Sequence, residues 1–216
     1  MNFPNEVLSS TSSYLNYQFI ETTSDSRYYS LMPWHHKPVV DILISELQNI
    51  NFNLWIDATS HIGVDAFLIR KLYPCLDIIA IEKNKETFKV LENNVNNLSM
   101  ILNKPNVKPI ITINQDCVQY LRNFNSLEGV VIYFDPPWGG SSYKKSDYIN
   151  LFLNDEMIGD IILDLLNLTP ALIILKVPSN FNFNLFNNQI LYSYRTYPIY
   201  TPSLKNPKIS YYLLFI

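Results

Sequence analysis

Six consecutive residues, Asp135-Pro136-Pro137-Trp138-Gly139-Gly140, bring together a carboxylate, two residues without a backbone N–H, a flat indole and two glycines. Such a set can hold an exocyclic amine of a nucleobase. The lone pair of that amine is delocalised into the ring, so it is a poor nucleophile. A site that uses it must accept its N–H hydrogen bond while keeping the nitrogen in line with a reactive methyl. Asp135 can be that acceptor. The prolines restrict the loop and leave carbonyls such as that of Pro136 displayed rather than consumed in a turn. Trp138 offers a stacking face worth about 1 to 3 kcal/mol per base, with a further cation–π gain for a cationic base. Gly139 and Gly140 let the chain bend away. Asp135, Pro136 and Trp138 are the catalytic candidates.

Three other polar clusters follow short apolar runs. The run Leu54 to Asp57 ends in a carboxylate and leads through Ala58-Thr59-Ser60-His61-Ile62-Gly63 into a helical pattern. Gly63 there can bring the backbone close to a ligand. The run from Ile78 ends in Glu82, placed to accept two hydrogen bonds from a ribose diol. The run from Ile110 leads to Gln115-Asp116-Cys117, where Asp116 can accept from an adenine amino group or serve as a helix cap. The cofactor-binding candidates are Asp57, Thr59, Gly63, Glu82, Lys83, Asp116, Cys117 and Asp135. Within this set Lys83 also reads as a solvent-facing charge and Cys117 as a small core residue.

These side chains need a scaffold that lines up strand ends. An apolar helical pattern, Val39, Val40, Ile42, Leu43 and Leu47, begins after Pro38, a residue suited to a first helical turn. Apolar runs then alternate with helical segments: Leu54 to Asp57, Val64 to Leu72, Ile78 to Glu82, Lys85 to Leu98, Ile110 to Asn114, Val118 to Phe124 and Val130 to Asp135. Alternation of this kind predicts a parallel sheet with helices on both faces, which binds ligands beyond the carboxyl ends of its strands. A helix around Met157 to Leu166, a buried strand at Ala171 to Val177 and an antiparallel terminal pair, Ile190 to Tyr197 and Ser210 to Ile216, complete an expected seven-stranded α/β fold. Residues 1–37, rich in Ser, Thr, Asn and Tyr without a clean period, read as an extended or partly ordered arm, and residues 38–216 as one domain.

Composition narrows the partners. With 216 residues, 48% of them hydrophobic, the chain can bury one substantial core. Sixteen basic against nineteen acidic side chains give a net charge of −3, so any nucleic-acid contact must be local rather than a global basic footprint. Two cysteines and three histidines supply neither a disulfide framework nor a metal-ligand pattern, and no metal is expected. No apolar run reaches the roughly 18 to 20 residues that span a bilayer, and residues 1–10 lack a signal-peptide layout. A soluble, intracellular monomer is the expectation. Heavy use of Asn, Ile, Lys and Tyr suggests an AT-rich genome, as in large DNA viruses or parasites.

The ordered set Asp57 to Gly63, Glu82, Asp116 and Asp135 to Trp138 resembles class I S-adenosylmethionine-dependent methyltransferases, over most of the chain from about Pro38. Within that group, Asp135-Pro-Pro-Trp-Gly-Gly-Ser-Ser-Tyr143 is most similar to the trimethylguanosine synthase family, which methylates the N2 amine of the 7-methylguanosine RNA cap and whose pattern reads Ser-Pro-Pro-Trp-Gly-Gly-Pro-x-Tyr. The resemblance implies a Rossmann-like fold, S-adenosylmethionine held by Asp57, Gly63, Glu82 and Asp116, and Trp138 stacked on the guanine. It also implies capped RNA or another nucleic acid as substrate, and an arm that helps close the cap pocket. Trp34, Tyr143, Lys144 and Lys205 join Trp138 as substrate-binding candidates, with Lys145 and Lys208 beside them for cap phosphates. Trp34 is equally readable as a staple between arm and core. Three positions depart from the pattern. Asp135 replaces a serine and so matches the Asp-Pro-Pro-Trp of RNA adenine-N6 methyltransferases, His61 replaces a glycine of the cofactor loop, and Ser141 replaces a proline. An N6-adenine or other base methyltransferase and an inactive binding subunit therefore stay open as alternatives.

Overall fold

The structure, a computed structural model, describes residues 45–101, 105–201 and 208–215. The arm, Trp34 and Lys205 lie outside them, as does most of the helix expected after Pro38, of which Ser45 to Leu47 is helical. Strands β1 (Leu54–Asp57), β2 (Asp77–Ile81), β3 (Ile110–Ile113), β4 (Val130–Phe134), β7 (Leu172–Pro178), β8 (Arg195–Thr201) and β9 (Lys208–Phe215) form one seven-stranded sheet in the order β3-β2-β1-β4-β7-β9-β8. The first five in that order run parallel, and β9 pairs antiparallel with both β7 and β8. After β1 the described residues hold the α-helices α1 (Val64–Leu72), α2 (Lys85–Ile101), α3 (Cys117–Leu121), α4 (Ile158–Leu166) and α5 (Phe183–Gln189). The sheet order doubles back between β1 and β4, and the crevice at that reversal is where an open α/β sheet takes a ligand.

Alternation along the central strands divides the interior into two cores. Trp55, Ile78, Val131, Tyr133, Ile174 and Leu214 face one side, against Phe67 and Leu72 of α1 and Leu91 and Val95 of α2. Ile56, Ile81, Ile132, Phe134, Leu175 and Leu213 face the other, against Leu121 of α3, Ile161 and Leu165 of α4 and Phe186 of α5. Helices thus cover both faces. Burying a side chain such as Phe67, 1% exposed, is worth about 1.5 to 3 kcal/mol, and this repeated burial is what orders the strands. A buried cation fixes the end of α1: the Arg70 guanidinium donates to the carbonyls of Tyr73 (3.0 Å), Pro74 (2.7 Å) and Pro109 (3.1 Å). The turn after α1 and the approach to β3 are thereby tied together.

Two features differ from the sequence-based expectation. A hairpin of β5 (Phe152–Leu153) and β6 (Glu156–Met157) precedes α4, its turn made by Asn154 and Asp155, both at positive φ as a two-residue hairpin loop requires. The strand expected from Ile190 begins at Arg195, because Phe183–Gln189 forms α5 and Ile190 closes it, its N–H donating to the Phe186 carbonyl at 2.9 Å.

Candidate active site

Parallel pairing of β3, β2, β1 and β4 brings Asp116, Glu82, Asp57 and Asp135 to one edge of the sheet. Asp57 is 1% exposed; the Thr59 N–H and the Ser60 side chain face its carboxylate, but neither oxygen has a well-formed hydrogen bond among the described residues. Burial, reinforced by the charge of Asp65 on α1, pushes its carboxyl well above the usual aspartate range. A buried carboxylate without well-formed hydrogen bonds is costly, and a cationic ligand group placed against it would reduce that cost. The donor set fits a nucleoside cofactor bearing an ammonium and a sulfonium.

The loop after β1 is shaped by two left-handed residues. Gly63 caps α1 at φ 95°, and a Cβ there would lie 2.7 Å from Leu91 Cδ1 and 2.8 Å from Phe67 Cζ. The missing side chain lets the start of α1 sit close against Leu91 of α2. His61 adopts φ 50°, so the histidine takes the backbone conformation that glycine reaches without strain. Its N–H, with those of Asn84 and Lys83, faces the Glu82 carboxylate; the bond from Asn84 to Oε1 is 2.6 Å. Burial nevertheless raises the Glu82 carboxyl above its ordinary value.

Asp116 performs the cap role that its position allowed. Its Oδ1 accepts from the Gln119 N–H at 3.1 Å, and its Oδ2 lies 3.4 Å from Lys83 Nζ, with 10% of the side chain exposed. Lys83 itself is exposed and also reaches Asn154 of the hairpin turn. Cys117 begins α3 inside the core, where burial pushes its thiol up to about 12 and keeps it inert.

Asp135 lies one step beyond the last paired residue of β4, and Lys176 occupies the corresponding step on β7, since Phe134 pairs with Leu175. The two form an ion pair through Asp135 Oδ2, with 27% of the aspartate and 25% of the lysine side chain exposed. The Asp135 N–H donates to Thr59 Oγ1 at 2.7 Å, so Thr59 joins the ends of β1 and β4. Pro136 is buried and Pro137 exposed. Trp138 packs against the core with its Nε1 buried and unpartnered, its ring edge-on to Tyr143 at 5.4 Å and 5.8 Å from Lys176 Nζ.

Gly139 (φ 89°) and Gly140 (φ 65°) turn the chain into a 3-10 helix, Gly140–Lys145. There Lys144 lies over the Tyr143 ring at 5.7 Å, and Lys144 and Lys145 are exposed. Asn180, after β7, anchors this segment by donating to the carbonyls of Tyr143 (2.7 Å) and Ser146 (2.8 Å).

Asp135, Trp138, Tyr143, Thr59 and Asp57 are thus gathered, while Glu82, Lys83 and Asp116 lie along the neighbouring strand ends. Sequence reasoning missed Lys176 and Asn180. A lone lysine in the apolar run Leu172 to Val177 was the signal for the first; nothing local marked the second.

A family model described as RNA cap guanine-N2 methyltransferase matches residues 52–205. An uncharacterised protein of Acanthamoeba polyphaga mimivirus is 28% identical over 135 residues, covering 62% of this chain, and the chain spans about half (49%) of that relative's length. Among solved structures, a SAM-dependent methyltransferase of Agrobacterium tumefaciens superposes with TM-score 0.58 at 11% identity, covering 91% of this chain and 66% of the other. A precorrin-6y C5,15-methyltransferase of Geobacter metallireducens superposes with TM-score 0.51 at 13% identity, covering 88% and 94%. These structural likenesses carry the fold. Over residues 52–205, well over half of its length, the chain belongs to the RNA cap guanine-N2 methyltransferase family.

Proposed function

We propose that the protein methylates the exocyclic N2 amine of guanine in a 7-methylguanosine RNA cap. The observation that carries this reading is the Asp135 to Trp138 segment at the end of β4: a carboxylate with one oxygen tied to Lys176 lies beside an indole that can take a base. The family match over residues 52–205 supports the choice of guanine N2 over other exocyclic amines.

S-Adenosylmethionine supplies an electrophilic methyl on a sulfonium, so a new N–C bond forms as the C–S bond breaks, leaving a neutral thioether and a proton to be shed by the alkylated nitrogen. Asp57 and Glu82 are the carboxylates proposed to hold the cofactor's ammonium and ribose diol. Asp116 and Lys83 border the same row of strand ends, and Thr59, Gly63 and Cys117 shape its floor. Asp135 Oδ1 accepts from the substrate amine and, with the Pro136 carbonyl, orients it. A strong base is unnecessary, because methylation itself acidifies the nitrogen; Asp135 orients first and accepts a proton second. Trp138 fixes the base plane, Tyr143 buttresses Trp138, and Lys144 stands at the rim for cap phosphates.

Asp135→Ala should abolish transfer while leaving cofactor affinity within a few-fold, as read by calorimetric titration with S-adenosylmethionine. Retention of activity would remove Asp135 from this role.

A further inference from the structure

Lys176 is a charged residue in a strand whose burial is otherwise complete from Leu172 to Leu175. Registers on both sides fix its neighbours: Lys176 pairs with Tyr212 of β9, and its place on β7 matches Asp135 beyond β4. Tyr133, Ile174 and Leu214 face the core beneath α1 and α2, so period-two alternation puts Asp135 and Lys176 on that same side, where Tyr212 packs. The groups facing Asp135 are Lys176 on β7, Tyr212 on β9, Tyr133 on its own strand, Asp57 at the end of β1 and Asp65 on α1. Lys176 is the cation of that set, and its ammonium also lies 5.8 Å from the Trp138 ring.

We propose that Lys176 is a positioning residue of the transfer reaction: it occupies Asp135 Oδ2, leaves Oδ1 as the acceptor for the substrate amine, and sets Asp135 relative to Trp138. This rests on the reading that the chain methylates an exocyclic amine. A protonated Asp135 could present a hydroxyl donor to the amine, which needs an acceptor. Burial, with Asp65 adding to it, raises the Asp135 carboxyl above its ordinary value, and Lys176 limits that rise. Burial alone would favour a neutral lysine, but the charges of Asp135 and Asp65 hold Lys176 charged. Each partner thus favours the charged form of the other, and the ammonium lies against both the amine acceptor and the stacking face.

The test compares wild type, Lys176→Met, Lys176→Gln and Lys176→Arg by single-turnover transfer from labelled S-adenosylmethionine to 7-methylguanosine-capped RNA across pH. A parallel carbon-13 NMR titration follows the Asp135 carboxyl in the protein alone. Removing the charge should move the acid limb and the Asp135 titration upward by about 1 to 3 pH units, the usual effect of an adjacent cation on a carboxyl. Arg should restore most of the wild-type profile. Gln keeps a donor to Asp135 and covers the case in which Met prevents folding. Rates that fall equally at every pH, with an unmoved titration, overturn the role of Lys176 while leaving the reaction in place. Failure of wild type to methylate any exocyclic amine overturns the reading of the reaction, and the catalytic role of Lys176 with it.

Discussion

The Asp135 N–H donates to Thr59 Oγ1 at 2.7 Å, so the residue proposed to orient the substrate is fastened through its backbone to the loop that follows β1. The two strands on either side of the sheet reversal are thereby held in one geometry. Thr59→Val keeps the shape and removes the acceptor, leaving a part-buried N–H unpaired at a cost of about 1 to 3 kcal/mol. Misplacement of Asp135 should then lower kcat about 10²-fold, whereas Thr59→Ser should stay near wild type. Equal kinetics for the Val and Ser variants would show that the bond does not position the site.

Asp57 ties stability to pH. Its carboxyl titrates well above the usual range in the folded chain because it is buried, with Asp65 adding to the effect, so the folded state holds that proton more tightly than the unfolded state does. The stability it contributes is present below the unfolded pKa and lost as pH rises through the folded one. Asp57→Asn should therefore be more stable than wild type toward neutral pH and should show a flatter pH dependence, while binding S-adenosylmethionine more weakly. Urea midpoints from about pH 4 to 8 read the slope, and parallel slopes in the two proteins would contradict it.

Gly63 and His61 separate packing from conformation. Gly63→Ala places a Cβ 2.7 Å from Leu91 Cδ1 at a φ of 95°, and the overpacking should cost about 1 to 3 kcal/mol in thermal or urea unfolding. His61 has already reached the left-handed conformation, so His61→Gly should keep the loop's shape and leave cofactor affinity within about threefold, while in folding stability a strain relief of roughly 1 to 2 kcal/mol is largely offset by the added freedom of the unfolded chain. A large gain in affinity would mean that His61 impairs the cofactor loop, as an inactive binding subunit would require.

Arg70 provides a control distant from the chemistry. Arg70→Met should leave the carbonyls of Tyr73, Pro74 and Pro109 without their donor and destabilise the fold by about 3 kcal/mol, with kcat of the folded fraction unchanged. Loss of kcat at full folding would link the α1 terminus to catalysis.

The fold was legible because four of the five parallel strands are apolar runs that lead into a carboxylate, Asp57, Glu82, Asp116 or Asp135. Trp55 and Ile56 on opposite faces show why such runs are apolar throughout. The helix Phe183–Gln189 was hidden by its sequence, in which asparagines alternate with phenylalanine and leucine without a clear helical stripe; Asn182 caps it through the Leu185 N–H. Strands of two residues, like β5 and β6, have no period to detect. Within the site, Asp135 and Trp138 declare themselves by type and spacing. Lys176 does not, because its partnership with Asp135 depends on the register between β4 and β7, a long-range property that neither strand carries alone.

The most direct test of the proposed reaction is the location of the transferred methyl. Labelled S-adenosylmethionine is incubated with 7-methylguanosine-capped, guanosine-capped and uncapped adenine-containing RNA and with DNA, and the products are digested to nucleosides and separated. Label is expected in the cap of the 7-methylguanosine RNA, on guanine N2. Label on adenine N6, or bound cofactor with no transfer to any of these substrates, would contradict it.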